Sequence, residues 1–181
     1  MDGEENFSKI TSSIYLGSED AFSNPKILDS ANVSHILSLV PTHEVLIPPS
    51  IAENRILYRI PLTDSVTEPI VLSFAPAIEF LVSAIESNGT VFVHCYSGIS
   101  RSPSVLAAFL IHYHALSAHE ALSTLQSCRS LVDPNPSFVA QLKWWEELGM
   151  PDDLTESDVA SFIASLDLPP PRRSPRNISS P

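Results

Sequence analysis

Positive charge is scarce in this chain: 10 Lys and Arg stand against 21 Asp and Glu over 181 residues, a formal net charge of -11. A general nucleic-acid binder needs a field that attracts polyanions, and this one repels them, so no nucleic-acid partner is expected. An enzyme acting on phosphate esters stays compatible, provided a few positive groups are focused at one site. Cysteine is scarcer still, with only Cys95 and Cys128. Two cysteines do not make a disulfide framework, nor a zinc site, which wants several Cys or His ligands at short spacings. Also missing is any apolar run approaching the roughly 18 residues that span a bilayer, so no membrane segment is expected. The start, Met1-Asp2-Gly3-Glu4-Glu5, lacks the basic residues of a secretory signal and the glycine directly after Met that myristoylation requires. The expectation is a soluble, intracellular chain, cytoplasmic or nuclear.

What is present is enough apolar sequence for a core, 44%, with 17% charged residues, which argues against wholesale disorder. The length suits one compact domain with short extensions. Residues 1–7 read as a flexible N-terminus. Strands are expected at Ile10–Leu16, Val33–Val40, Ile56–Leu62 and Thr90–His94, with turn residues at their ends. Helical spacing runs through Leu72, Ala75, Ile78, Leu81, Val82 and Ile85, although Pro76 speaks against an ideal helix there. A nearly all-apolar helix, Val105–Tyr113, should be central. Ser117 and Glu120 form a capping box for the helix that follows. Pro134-Asn135-Pro136 then precedes a helix carrying Phe138, Leu142, Trp145 and Leu148. Strands alternating with helices predict an α/β fold, a central, mainly parallel sheet flanked by helices.

Past residue 150 the composition shifts. Residues 151–168 read as an acidic helical extension in which Leu154, Val159, Phe162, Ile163 and Leu166 share a face, capped by Thr155 and Asp158. That face either packs on the domain or meets a partner. Residues 169–181, rich in Pro, Ser and Arg, read as a disordered tail. In it, Arg172, Arg173 and Arg176 are too few for a nuclear signal, and Ser174-Pro175 and Ser180-Pro181 fit proline-directed kinases.

The stretch that carries chemistry runs from Val91 to Pro103, with His94-Cys95-Tyr96-Ser97-Gly98-Ile99-Ser100-Arg101-Ser102 at its centre. A strand, a Gly-containing loop and a helix start aim successive backbone N–H groups at one point, a nest that suits a phosphate. Tyr96, Ser97, Gly98, Ile99, Ser100 and Arg101 are the candidate phosphate-binding residues. The same nest supports a thiolate, which makes Cys95 a nucleophile. Gly98 lets the backbone turn tightly, and the planar fork of Arg101 can hold two phosphate oxygens.

Cys95, five intervening residues and Arg101, with His94 before and Ser102 after, resemble the signature of the protein tyrosine phosphatase superfamily. The Ser100-Arg101-Ser102 ending is similar to its dual-specificity branch. Further landmarks in order are Ile14-Tyr15-Leu16-Gly17-Ser18, Val33–Leu37, Ala108–Ile111 and Pro134-Asn135 with Phe138, Gln141 and Leu142. The resemblance implies a catalytic domain at residues 8–150 with the fold of that superfamily, needing neither cofactor nor metal. It implies hydrolysis of phosphotyrosine and phosphoserine or phosphothreonine in a phosphoprotein substrate, through a phosphocysteine.

It also assigns Asp64, about thirty residues before the cysteine, as general acid, with Glu68 as substitute if the loop aligns differently. Ser102 would donate to the Cys95 sulfur, or cap the helix. His94 would orient the loop and support the thiolate, and Asn135 either braces the loop or serves as a plain turn residue. Cys128 reads as a small buried hydrophobe. A phosphatase of lipids or other small phosphates, or a phosphate-binding adaptor without turnover, are the alternatives. Nothing in the sequence specifies an oligomeric state.

Overall fold

The structure, a computed structural model, describes residues 6–168. The tail from Pro169, and with it the three arginines and both Ser-Pro sites read above, lies outside the described residues.

Five strands build the sheet: β1 (Phe7–Lys9), β2 (Ile14–Gly17), β3 (His35–Ser38), β4 (Ile56–Arg59) and β5 (Val91–His94). Their order is β1-β2-β5-β3-β4, with β1 antiparallel to β2 and every other pairing parallel. The expected mainly parallel sheet is therefore present. β5 sits in the middle, and all four of its residues are buried, as the apolar run Val91-Phe92-Val93 requires.

The helices are α1 (Pro25–Ser30), α2 (Pro49–Ala52), α3 (Phe74–Glu86), α4 (Arg101–His114), α5 (Ala118–Cys128), α6 (Pro136–Glu147) and α7 (Glu156–Ser165). Short 3-10 turns occupy Glu19–Ser23 and Ile70–Ser73. α4 lies against β2 and β5 and packs in turn on α3, α5 and α6. Eleven of its residues, Arg101 through Ile111, are buried, so this helix is the centre of its layer. Its N-terminus emerges directly from the loop that leaves β5. The fold thereby places a strand end and a buried helix start a few residues apart.

Three sequence expectations need correction. Residues 1–5 lie outside the described residues, but Phe7, expected to be loose with them, opens β1, stacks on Tyr15 with ring centroids 4.4 Å apart and lies 5.2 Å from Phe92. Antiparallel pairing with β2 and the burial of this one aromatic ring seat the short edge strand. Pro76 does not disturb α3, because it falls in the first turn, where the N–H it lacks would have no helical partner. Cys128 is exposed rather than buried. The inner stripe of α5 runs through Ala118, Ala121 and Leu125, and the next inward place goes to Arg129 just past the helix end.

The capping box of Ser117 and Glu120 is formed, and Thr155 with Asp158 makes a second one. α7 packs back on the domain: Val159 is fully buried and Phe162 stacks on Trp144 at 4.3 Å. Trp145 is a core residue whose Nε1 donates to the Pro151 carbonyl. Among the described residues no helix is long and apolar enough to cross a membrane.

Candidate active site

The loop Cys95–Ser100 is held by its carbonyl groups. His94 Nδ1 lies 2.9 Å from the Cys95 oxygen. The Glu19 N–H donates to the Tyr96 oxygen at 2.9 Å. Arg129 donates twice, from Nη2 to Ser97 at 2.9 Å and from Nε to Gly98 at 3.0 Å. The Asp133 N–H donates to Ile99 at 3.0 Å, and Ser104 Oγ to Ser100 at 2.7 Å. Six successive carbonyls are thus engaged by the surrounding protein. In a planar trans peptide the N–H points opposite to the preceding C=O. Tying these carbonyls outward turns the N–H groups of Tyr96 to Arg101 to the inside of the loop, which is the geometry of an anion nest.

Two glycines make the loop fit. Gly98 has φ +67°, a left-handed conformation that favours glycine, and a Cβ there would fall 2.4 Å from the Gly17 oxygen. The end of β2 therefore packs directly under the loop.

Cys95 is 1% exposed, and the Ser102 hydroxyl donates to its sulfur at 3.1 Å. Ser102 is fully buried inside the first turn of α4, while the N-cap position itself is Ser100, so the capping alternative for Ser102 is not what the structure shows. Arg101 is 5% exposed. Its Nη1 donates to Glu44 Oε2 at 2.7 Å and to the Leu62 oxygen at 2.9 Å. Its Nε is buried and has no hydrogen-bond partner among the described residues. With Nη1 occupied, the Nε–Nη2 edge of the guanidinium is the face left for a ligand. That edge matches two oxygens of a phosphate.

His94 is fully buried, with its ring stacked on Phe92 and edge-on to Phe22. Burial pushes its pKa down to about 4, the nearby charges of Arg59 and Arg101 add to this, and the bond to the Cys95 carbonyl opposes it. The ring is neutral at neutral pH. Because a carbonyl only accepts, Nδ1 carries the proton. His94 orients the loop through that bond, and it brings no positive charge to the Cys95 sulfur.

Asp64 stands on the exposed loop between β4 and the second 3-10 turn, and it reaches the phosphate loop. Ser100 Oγ donates to its Oδ1 at 2.8 Å and Asn135 Nδ2 to the same oxygen at 2.9 Å. Glu68, the substitute acid, turns back on its own loop instead: its Oε2 accepts the Thr63 N–H at 2.9 Å and the Thr63 hydroxyl. The downstream end of that loop is tied to α6, where Gln141 donates to the Glu68 oxygen at 2.9 Å.

The structure brings His94, Cys95, Arg101, Ser102 and Asp64 to one end of the sheet. Tyr96 is half exposed, at 51%, and joins the loop through its carbonyl. Glu44 and Arg129 belong to the site as well, and the sequence reading did not find them. Glu44 follows β3, a strand parallel to β5, so its loop opens at the same end of the sheet, which is the one signal that could have pointed to it. Among the described residues no group of three or more His, Cys, Asp or Glu could hold a metal ion.

Residues 14–148 match the family described as dual specificity phosphatase, catalytic domain. The chain is 29% identical over 147 residues to dual specificity protein phosphatase 1B of Arabidopsis thaliana, covering 81% of this chain and 86% of that one. It is 29% identical over 170 residues to dual specificity protein phosphatase 18 of Bos taurus, covering 86% and 88%. The crystal structure of human tyrosine phosphatase-like serine/threonine/tyrosine-interacting protein superposes with a TM-score of 0.76 at 24% identity, over 81% of this chain and 99% of that chain.

Proposed function

The chain belongs to the dual specificity phosphatase family, and from that membership we propose that it hydrolyses phosphotyrosine and phosphoserine or phosphothreonine in proteins. The observation that carries the proposal is the outward anchoring of the carbonyls from Cys95 to Ser100 around a buried thiol. It leaves the inward N–H groups and the Nε–Nη2 edge of Arg101 to receive three phosphate oxygens.

In the first step the Cys95 thiolate attacks phosphorus as the P–O bond to the leaving group breaks. The electron pair of that bond goes to the leaving oxygen, which takes a proton from Asp64. Glu44 and the Leu62 carbonyl hold Arg101 so that its free edge follows the equatorial oxygens through the transition state. In the second step water attacks phosphorus and the Asp64 carboxylate takes its proton. The S–P bond breaks, its pair returns to sulfur, and the Ser102 hydroxyl stabilises the departing thiolate. Inorganic phosphate and the dephosphorylated hydroxyl are the products, and the proton that Asp64 gives in the first step returns to it from water in the second.

Hydrolysis of a phosphotyrosine peptide, a phosphothreonine peptide and a panel of phosphoinositides in the presence of a chelator tests the reading. Turnover of both peptides, abolished in Cys95→Ser, is expected. Turnover of phosphoinositides alone would move the substrate to lipids. Binding of a phosphopeptide without any turnover would make the chain an adaptor.

A further inference from the structure

The N-terminus of α6 fixes which way two hydrogen bonds run into the acid loop. The Phe138 N–H can only donate, and it donates to Asn135 Oδ1 at 3.0 Å. That bond settles the orientation of the Asn135 amide, so the group facing Asp64 is the NH2. The Asn135 backbone N–H, likewise a donor only, meets Ser100 Oγ at 3.1 Å. With its oxygen accepting from Asn135, the Ser100 hydroxyl has its own proton available for Asp64, 2.8 Å away. Both donors converge on the same atom, Asp64 Oδ1. An oxygen that accepts two hydrogen bonds is a poor place for a transferable proton.

We infer that Asn135 and Ser100 are positioning residues that lock Asp64 Oδ1 as an acceptor and so keep the proton to be transferred on Oδ2. This inference rests on the phosphatase reading and adds a division of labour within the acid. Asn135 joins three segments: it caps α6, braces the phosphate loop at Ser100, and stations the acid before substrate arrives. Neither residue touches the phosphate ester through these bonds, so their effect should pass through proton delivery alone. An alkoxide leaving group needs that proton, whereas a nitrophenoxide departs nearly without it.

The variant to make is Asn135→Ser. Serine keeps the N-cap acceptor for Phe138 and fits the extended backbone at this position (φ -62°, ψ 152°), but is too short to reach Asp64. Leaving-group release in the first turnover, before the base step enters, is measured on 4-nitrophenyl phosphate, phenyl phosphate and a phosphothreonine peptide, beside wild type, Asp64→Asn and Ser100→Ala. Loss of a hydrogen bond that orients the acid predicts a fall of about tenfold on the phosphothreonine peptide. On 4-nitrophenyl phosphate the change should stay within about twofold, because the step that needs the acid is bypassed. Asp64→Asn should show the same ordering of substrates, more steeply, and Ser100→Ala should share its direction. An equal loss on all three substrates, or no loss on any, overturns the inference while the functional reading stands. A wild type inert towards every ester overturns both. Should Asn135→Ser fail to fold, a uniform loss in Ser100→Ala overturns the inference in the same way.

Discussion

The phosphate loop and the acid loop meet at Asp64, but they are held in opposite manners. The first is anchored from beneath by six engaged carbonyls and by residues that are 0 to 5% exposed, namely Cys95, Ser100, Arg101, Ser102 and Arg129. The second is largely exposed around Asp64, whose side chain meets Ser100 and Asn135 near the surface, although its Leu62 carbonyl accepts from the buried Arg101. Buried hydrogen bonds are costly to leave unmade, while solvent replaces exposed ones at little loss. The cradle is therefore rigid by construction, and the acid is stationed by bonds that can open and close, as a two-step reaction with acid and base phases requires.

Breaking the anchor should cost most. Arg129→Leu removes both donors to the Ser97 and Gly98 oxygens from a site that water does not reach. A loss of roughly 3–5 kcal/mol in unfolding free energy is expected, with turnover falling on every ester whatever its leaving group. Equilibrium urea unfolding checks the first part; a loss confined to poor leaving groups would erase the distinction between the loops.

His94 gives a pH dependence on the same anchored side. Above pH 6.5 neither the folded nor the unfolded chain binds the proton. Below it the unfolded chain protonates His94 while the folded chain, with its pKa at about 4, does not. Stability should therefore fall as pH drops from 6.5 towards 4, by about 3 kcal/mol in all. His35, whose pKa burial also lowers, contributes with the same sign. Urea titrations across that range should show the decline, and His94→Asn should flatten most of it. On the acid-loop side, Glu68→Gln weakens only exposed bonds to Thr63, and its cost should stay below about 1 kcal/mol.

The two loops also differed in how far the sequence revealed them. The phosphate loop was legible because its nucleophile, glycine and arginine sit within one short run whose order is set by chemistry. Asp64 was found only through family resemblance, since an isolated loop aspartate carries no spacing signal. Arg129 and Glu44 escaped for a physical reason. Arg129 bonds to backbone carbonyls, which every residue possesses, and Glu44 meets Arg101 across 57 positions of sequence. Neither leaves a pattern along the chain. The sheet was legible from apolar runs bounded by turns, whereas β1, with one buried aromatic, was too short to show a period of two. Ser102 illustrates a site residue with two sequence meanings that only packing separates, because its hydroxyl turns to sulfur and the cap position falls two residues earlier.

The central claim is that Cys95 carries the phosphoryl group between the two steps. Asp64→Asn exposed to 4-nitrophenyl phosphate should form the phosphoenzyme without needing an acid and then stall for want of a base. Rapid-quench peptide mass spectrometry should find phosphate on the fragment containing Cys95, and none when Cys95→Ser is added. Phosphate on another residue, or release of nitrophenol with no phosphorylated fragment at all, would contradict the account.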